Sequence, residues 1–248
     1  MLNYIHADLN RIFRRTPRLV FVILVYAITL GVEMYQAVSR SYNSVNLLAS
    51  VPTAFETVAL ILGIVEIQNV LADDFRAKTM QITIGLGVSR PKVVLTKLID
   101  FMVLLLTDML VLAVLFILGG LGCGIHLMAD QVHLLMVTAI GDMVYMTIAA
   151  AITMIPVFYL QSTALAILFF LIISIDPINM ILSMLSNKEI VMNLHLQALP
   201  YSAVANTLTT QLSLRNAVPI PQLIGVIVYL VAAYALTVLV FKKRELEF

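Results

Sequence analysis

The chain has little of what soluble enzymes are built from. Its one cysteine, Cys123, excludes an intramolecular disulfide, and no cysteine–histidine spacing marks a structural zinc site. Charged residues make up only 12% of the chain, and a net charge of +1 points to no partner; where the charges fall carries the information. No G-x-x-x-x-G-K-[ST] loop occurs and no polar stretch is long enough to hold a nucleotide-binding domain, so the chain is not expected to hydrolyse ATP alone. Low-complexity tracts and convincing internal repeats are missing as well. The Asp176-Pro177 break has no counterpart that would make a pair of inverted repeats.

What is present is apolar. Hydrophobic residues are 61% of 248 positions and the mean hydropathy is +1.02, more than a soluble fold can cover. A bilayer core of about 30 Å needs about 20 mostly apolar residues in helical form. Six runs of that kind extend from Leu19 to Ala37, Val51 to Leu71, Ile99 to Leu121, Leu134 to Ile155, Ala164 to Leu185 and Leu223 to Phe241. The first has no small-residue cleavage site near its end, so it is expected to be a retained helix rather than a leader. With the N-terminus inside, the cytosolic segments hold all of the 15 basic residues except Arg40, Lys188 and Arg215. The positive-inside rule then puts both termini in the cytosol. The expected fold is all-α: a polytopic membrane protein of six transmembrane helices in a single transmembrane domain over 1–248.

Three connecting segments add detail. In 1–17, Leu2, Ile5, Leu9, Ile12 and Phe13 recur at helical spacing with Asn10, Arg11, Arg14 and Arg15 largely on other faces, which suits an interfacial helix on the inner leaflet. The plainer alternative is a basic flank that only anchors orientation. Thr16-Pro17 predicts an extended bend, because the residue before proline avoids the helical region. The cytosolic segment 72–98 is too large for a simple turn: Gly85 and Gly87 interrupt the helical pattern, and Ser89-Arg90-Pro91 reads as a cap with proline at a first helical position. A helix, a hinge and a second helix are expected there. The outer loop 186–222 is broken by Pro200, Pro219 and Pro221, and its run Tyr201 to Leu214 is too short to cross; it either dips back into the membrane while buried in protein or caps the bundle from outside.

Several acidic groups fall inside the apolar runs. Glu56, Ala59, Gly63, Glu66, Asn69 and Asp73 follow one another at steps of three or four, as do Thr138, Asp142, Tyr145, Ala149 and Thr153, while Asp108 and Asp176 lie in the third and fifth runs. A carboxylate at the bilayer centre costs at least about 2.5 kcal/mol, so Glu56, Glu66, Asp108 and Asp142 are expected to face a translocation path or a helix interface. Catalytic readings are weak. His126, Asp130 and His133 stand at helical spacing, but Gly122 and Gly124 argue for a loop rather than a metal site. Asp108 and Asp142 as an aspartyl intramembrane protease pair fail because Ala139-Ile140-Gly141-Asp142 lacks the first glycine of G-x-G-D. A rhomboid-like serine–histidine dyad fails because the sixth run has no histidine.

The connector is the recognisable part. Asp73-Asp74-Phe75-Arg76-Ala77-Lys78-Thr79-Met80, followed by Gly85-Leu86-Gly87-Val88-Ser89-Arg90 and Lys92 through Lys97-Leu98, resembles the permeases of the ABC-2 type, as do the order of segments and the ending Phe241-Lys242-Lys243-Arg244. Asp73-Asp74 stand where many relatives carry a glutamate. The resemblance implies an exporter half in a bacterial cytoplasmic membrane. Two permease subunits would pair, alike or different, and each would dock on a separate ATP-binding subunit that carries the ATP and Mg. The cargo would be a peptide, drug or lipid-like substrate; no cofactor in this chain and no nucleic-acid partner are implied. Asp73, Asp74, Phe75, Arg76, Lys78, Thr79, Gly85, Gly87, Ser89 and Arg90 would form the coupling segment, with Phe75 as an anchor in the partner's groove and Arg76, Lys78 and Arg90 as rim charges. The rival expectation is an ATP-independent secondary transporter or channel that uses the intramembrane carboxylates.

Overall fold

A computed structural model describes residues 2–39, 44–76, 79–185, 198–214 and 219–243; side chains at 2–3, 37, 44–47, 72–74, 76 and 79 are not described. Lys78 therefore lies outside the described residues, as do Arg40, Lys188, Arg215 and Arg244, and so do the side chains of Asp73, Asp74, Arg76 and Thr79.

Every described element is an α-helix. In chain order they are α1 (Leu2–Phe13), α2 (Thr16–Ser39), α3 (Ser44–Arg76), α4 (Thr79–Gly85), α5 (Arg90–Gly122), α6 (Ala129–Leu160), α7 (Thr163–Ser174), α8 (Pro177–Met184), α9 (Tyr201–Ser213) and α10 (Ile220–Lys243). Six stretches are long and apolar enough to cross a membrane, and they fall on the six expected runs: α2, α3, α5, α6, the pair α7–α8, and α10. α6 is the hub. Over its most apolar window 61% of residues are buried, against 22% for α2, α7–α8 and α10. The peripheral helices instead turn Ile23, Ile28, Leu168, Ile172, Ile227 and Val231 outward, as helices surrounded by lipid do.

The inward packing is mostly aromatic and aliphatic. Phe55 of α3 meets Phe116 of α5 edge to face at 5.5 Å, and Phe101 of α5 meets Phe170 of α7 at 6.0 Å. Gly63 makes room for that second contact, since a Cβ there would lie 2.6 Å from the Phe170 ring. α4 and α5 each close with the same device. Gly87 and Gly124 have φ of +93° and +78°, and a backbone N–H one residue further on reaches back to a carbonyl five residues earlier, Val88 to Thr83 at 3.2 Å and Ile125 to Gly120 at 2.8 Å. Only glycine takes those dihedrals without strain.

The N-terminal helix differs in detail from its sequence pattern. α1 ends at Phe13, the chain turns at Arg14 and Arg15, and Thr16 already opens α2. The break thus falls before Thr16-Pro17 rather than at it. Pro17 sits in the first helical turn, where its missing N–H leaves no hydrogen bond unmade. α1 presents Asp8 and Ile12 to the bundle, both buried, and the Lys97 ammonium of α5 donates to Asp8 Oδ2 at 2.5 Å. Burial alone would raise the Asp8 carboxyl, but Lys97 and Arg11 together outweigh it and hold the group below the ordinary 3.8.

A depressed carboxylate contributes stability above its unfolded value and loses it as pH falls through the folded one. The contribution of Asp8, read as the difference in thermal midpoint between the wild-type protein and Asp8→Asn in detergent, is therefore expected to hold toward mild acid and to shrink only below about pH 3.8. Asp8→Asn should lower the midpoint at neutral pH; an unchanged profile would show that α1 is not held by this pair.

Candidate functional site

The four intramembrane carboxylates do not share one path. Glu56 and Glu66 lie on the same stripe of α3 but ten residues apart, about 15 Å along the axis, and each meets a different set of neighbours. Near the N-terminal end of α2, Arg18 gathers the first set. Its Nε donates to Glu66 Oε1 at 2.7 Å, and its Nη2 donates to both oxygens of Asp108 at 2.9 and 2.8 Å. Arg18, Glu66 and Asp108 are 3%, 0% and 5% exposed, so all three charges are out of water. A guanidinium can serve two carboxylates at once because its donors are fixed in a planar fork. The Phe13 ring lies 5.0 Å from the guanidinium carbon, and Tyr26 donates to the Asp108 carbonyl at 2.8 Å.

In sequence Arg18 looks like one more orienting charge. The signal that it is a partner was its place just ahead of the first apolar run, with two carboxylates in later runs needing a cation. With one cation for two anions, the trio ties α2, α3 and α5 together. Arg18→Ala should strand both carboxylates and destabilise the bundle by roughly 3–5 kcal/mol. The variant Arg18→Met with Glu66→Gln and Asp108→Asn should recover much of that loss; denaturant unfolding in detergent measures both.

The second set lies between α3, α6, α8 and α9. A cavity of about 430 Å³ opens there, with Glu56 of α3 and Thr138, Asp142 and Tyr145 of α6 on one side and Ser202 and Asn206 of α9 on the other. The stripe on α6 is thus divided. Its upper part, Thr138 to Tyr145, lines the cavity, whereas Ala149 and Thr153 are buried in packing, with the Thr153 hydroxyl turned onto the Ala149 carbonyl at 2.7 Å. Gly141 brings α9 close: a Cβ there would overlap the Thr209 side chain, with Cγ2 at 2.7 Å. Gly141→Ala should push α9 away and cost about 1–3 kcal/mol, read as a lower thermal midpoint.

Asp176 forms the floor of this cavity and closes the break between α7 and α8. It adopts a left-handed conformation, φ 48° and ψ 68°, accepts the Asn179 N–H at 3.2 Å as the cap of α8, and accepts the Ser202 N–H of α9 at 3.3 Å. Pro177 has no N–H to offer the Ile173 carbonyl. The Tyr201 hydroxyl donates to that carbonyl, and the Tyr145 hydroxyl donates to the Ser174 carbonyl at 2.5 Å. Tyr201 and Tyr145 stack at 5.4 Å, midway along α6. The break, α6 and the start of α9 are therefore one unit.

No family model matches the chain, and no curated relative matches its sequence. The chemistry has to be read from geometry. Among the described residues no three His, Cys, Asp or Glu side chains are close enough to hold a metal ion. His126 lies in the loop between α5 and α6, whereas Asp130 and His133 are on α6.

The connector residues have mixed placements. α3 runs on through Arg76, α4 follows, Gly85 ends α4, and Gly87 makes the turn into α5. Ser89 stands at the cap position of α5 with Pro91 behind it, yet its side chain makes no capping hydrogen bond. Phe75 and Arg90 turn inward. Phe75 is half-buried and packs edge-on against Phe158 of α6 at 6.1 Å. The Arg90 Nη1 donates to the carbonyls of Phe241 and Lys242 at 2.7 and 2.9 Å, over the Phe241 ring at 5.4 Å. It closes the end of α10. Among the described side chains of the connector, the large apolar ones turned outward are Leu86, 82% exposed, and Ile82, 59% exposed.

Proposed function

We propose that this chain is the permease subunit of an ATP-driven exporter in a bacterial cytoplasmic membrane, docked on a separate ATP-binding subunit and paired with a second permease. The observation that carries this reading is the connector. α4 is a short helix slung between the two long helices α3 and α5, and it and the glycine turn that follows hold two bare aliphatic side chains, Ile82 and Leu86, away from the bundle. An apolar knob in that position suits a groove on a partner. α5 is fixed to α10 through Arg90 and to α1 through Lys97. A push on α4 therefore moves several helices as a body rather than bending one loop.

In this reading both termini and α4 face the cytosol, α1 lies at the inner leaflet, and α9 is a re-entrant helix entering from the outer side. Tyr201 and Tyr145 then hold it at mid-span. Docking rests on Ile82 and Leu86, with Phe75 and Arg90 behind them as internal struts. The cargo in this reading is a peptide, drug or lipid-like molecule.

Leu86→Asp should abolish co-purification of an ATPase chain and ATP-dependent efflux, with membrane insertion and thermal midpoint unchanged because the side chain touches little. Retained efflux and retained ATPase capture would overturn the docking role. The rival reading, an ATP-independent carrier or channel, draws support from the carboxylates within the spans. It predicts flux that follows a proton gradient in liposomes containing this chain alone, where the exporter reading predicts none.

A further inference from the structure

The polar cavity between α3, α6 and α9 has properties that packing does not explain. Asp176 has both carboxylate oxygens engaged, by Asn179 and Ser202. Glu56 and Asp142 have no ion-pair partner among the described residues, and no lysine, arginine or histidine is among the described side chains that line the space. Two carboxylates therefore face a common volume with no cation supplied by the described protein. A second observation is independent of charge. Ser202 is only 5% exposed, lines the same cavity, and its Oγ has no hydrogen-bond partner among the described residues; the buried Asp142 Oδ2 has none either. A buried hydroxyl or carboxylate oxygen left unmet is costly, so such groups await something that brings hydrogen-bonding atoms.

The geometry points to a binding site for an organic ammonium group, held by Asp142 and Glu56 with Ser202 and Asn206 completing its hydrogen bonds. The size argues for this. A water occupies about 30 Å³ of liquid, so about 430 Å³ takes a ligand of several heavy atoms together with water. The donor set argues for it as well. A primary ammonium carries three N–H donors and no acceptor, and the cavity offers two carboxylates, a serine hydroxyl and an asparagine carbonyl to receive them. Among the described residues the acidic groups are too dispersed to share a metal ion, whereas an alkylammonium needs one close carboxylate and nearby neutral acceptors. The Tyr145 ring on the wall adds a face for the cation or its first methylenes. The ammonium arrives either on a small free amine or on a lysine side chain of a peptide, with the same chemistry at the site.

This site does not rest on the exporter reading, because binding is measured on the chain alone, without an ATPase or flux. The purified full-length protein in lipid nanodiscs is titrated with n-butylammonium, with Nα-acetyl-lysine amide and with 1-butanol as the neutral counterpart, by calorimetry and by tyrosine emission. The chain has no tryptophan to mask its tyrosines. Saturable binding of either ammonium but not of butanol is expected, and which of the two binds more tightly identifies the source. Asp142→Asn should weaken binding at least ~10-fold, Glu56→Gln should weaken it less, and Asp130→Asn, at the start of α6 outside the cavity, should leave it unchanged. Should Asp142→Asn fail to fold, Glu56→Gln carries the test, since its side chain is exposed and bonded to little. Butanol binding as well as the amines, no binding of either amine, or full binding by both carboxylate variants would overturn the proposal and leave a water-filled vestibule only.

Discussion

Hydrocarbon offers no water to a buried polar group, and that constraint shapes the parts of this chain that are not simply apolar. Arg18 donates to Glu66 and Asp108 across three helices within 2.9 Å. At the Asp176-Pro177 break the Ile173 carbonyl accepts the Asp176 N–H at 2.9 Å and the Tyr201 hydroxyl, and the Ser174 carbonyl accepts the Tyr145 hydroxyl. Asp8 and Lys97 do the same for α1 against α5. Each solution spans elements far apart in sequence, so pairing polar groups and assembling the bundle are the same event. α6 is central because most of the other long helices pack on it.

The same constraint separates groups that hold the structure from groups left open. In the trio around Arg18 and in the caps made by Asp176, each carboxylate accepts from a named donor; the one oxygen left over there, Glu66 Oε2, is packed among the helices and lines no polar cavity among the described residues. The Asp142 Oδ2 and the Ser202 Oγ are buried and unmet beside a polar cavity. Those are the atoms a ligand would find. The connector shows a comparable division. Phe75 and Arg90 are consumed by α6 and α10, while Ile82 and Leu86 are left outside with no partner in the bundle to explain them.

Much of the architecture was legible in the residues. Six apolar runs of bilayer length, the helix–hinge–helix pattern around Gly85 and Gly87, and the break at Asp176-Pro177 all follow from local rules of length, glycine dihedrals and the missing proline N–H. The carboxylate stripes were legible as faces that avoid lipid. What they would meet was not, because spacing along one helix says which residues share a face and nothing about the helix opposite. Glu56 and Glu66 share a face and end in different sites. Along the sequence Arg18 stands as a charge that orients the chain, and in the fold it is also the cation that two distant carboxylates need. Phe75 and Arg90 carried the composition of a docking surface, aromatic and arginine together, and the same composition serves equally well to tie helix ends.

The sequence by itself determined that this is a helical, multi-span membrane protein and which stretches span, because those properties depend on hydropathy over about 20 residues, whereas the ends of α2, α3 and α5 lie several residues from where the apolar runs begin or stop. Only the tertiary structure decided which polar groups are satisfied and which are left facing a cavity. Those outcomes depend on contacts between residues as far apart as Arg18 and Asp108, or Tyr201 and Ile173. A pairing of that kind exists only once the intervening helices have packed.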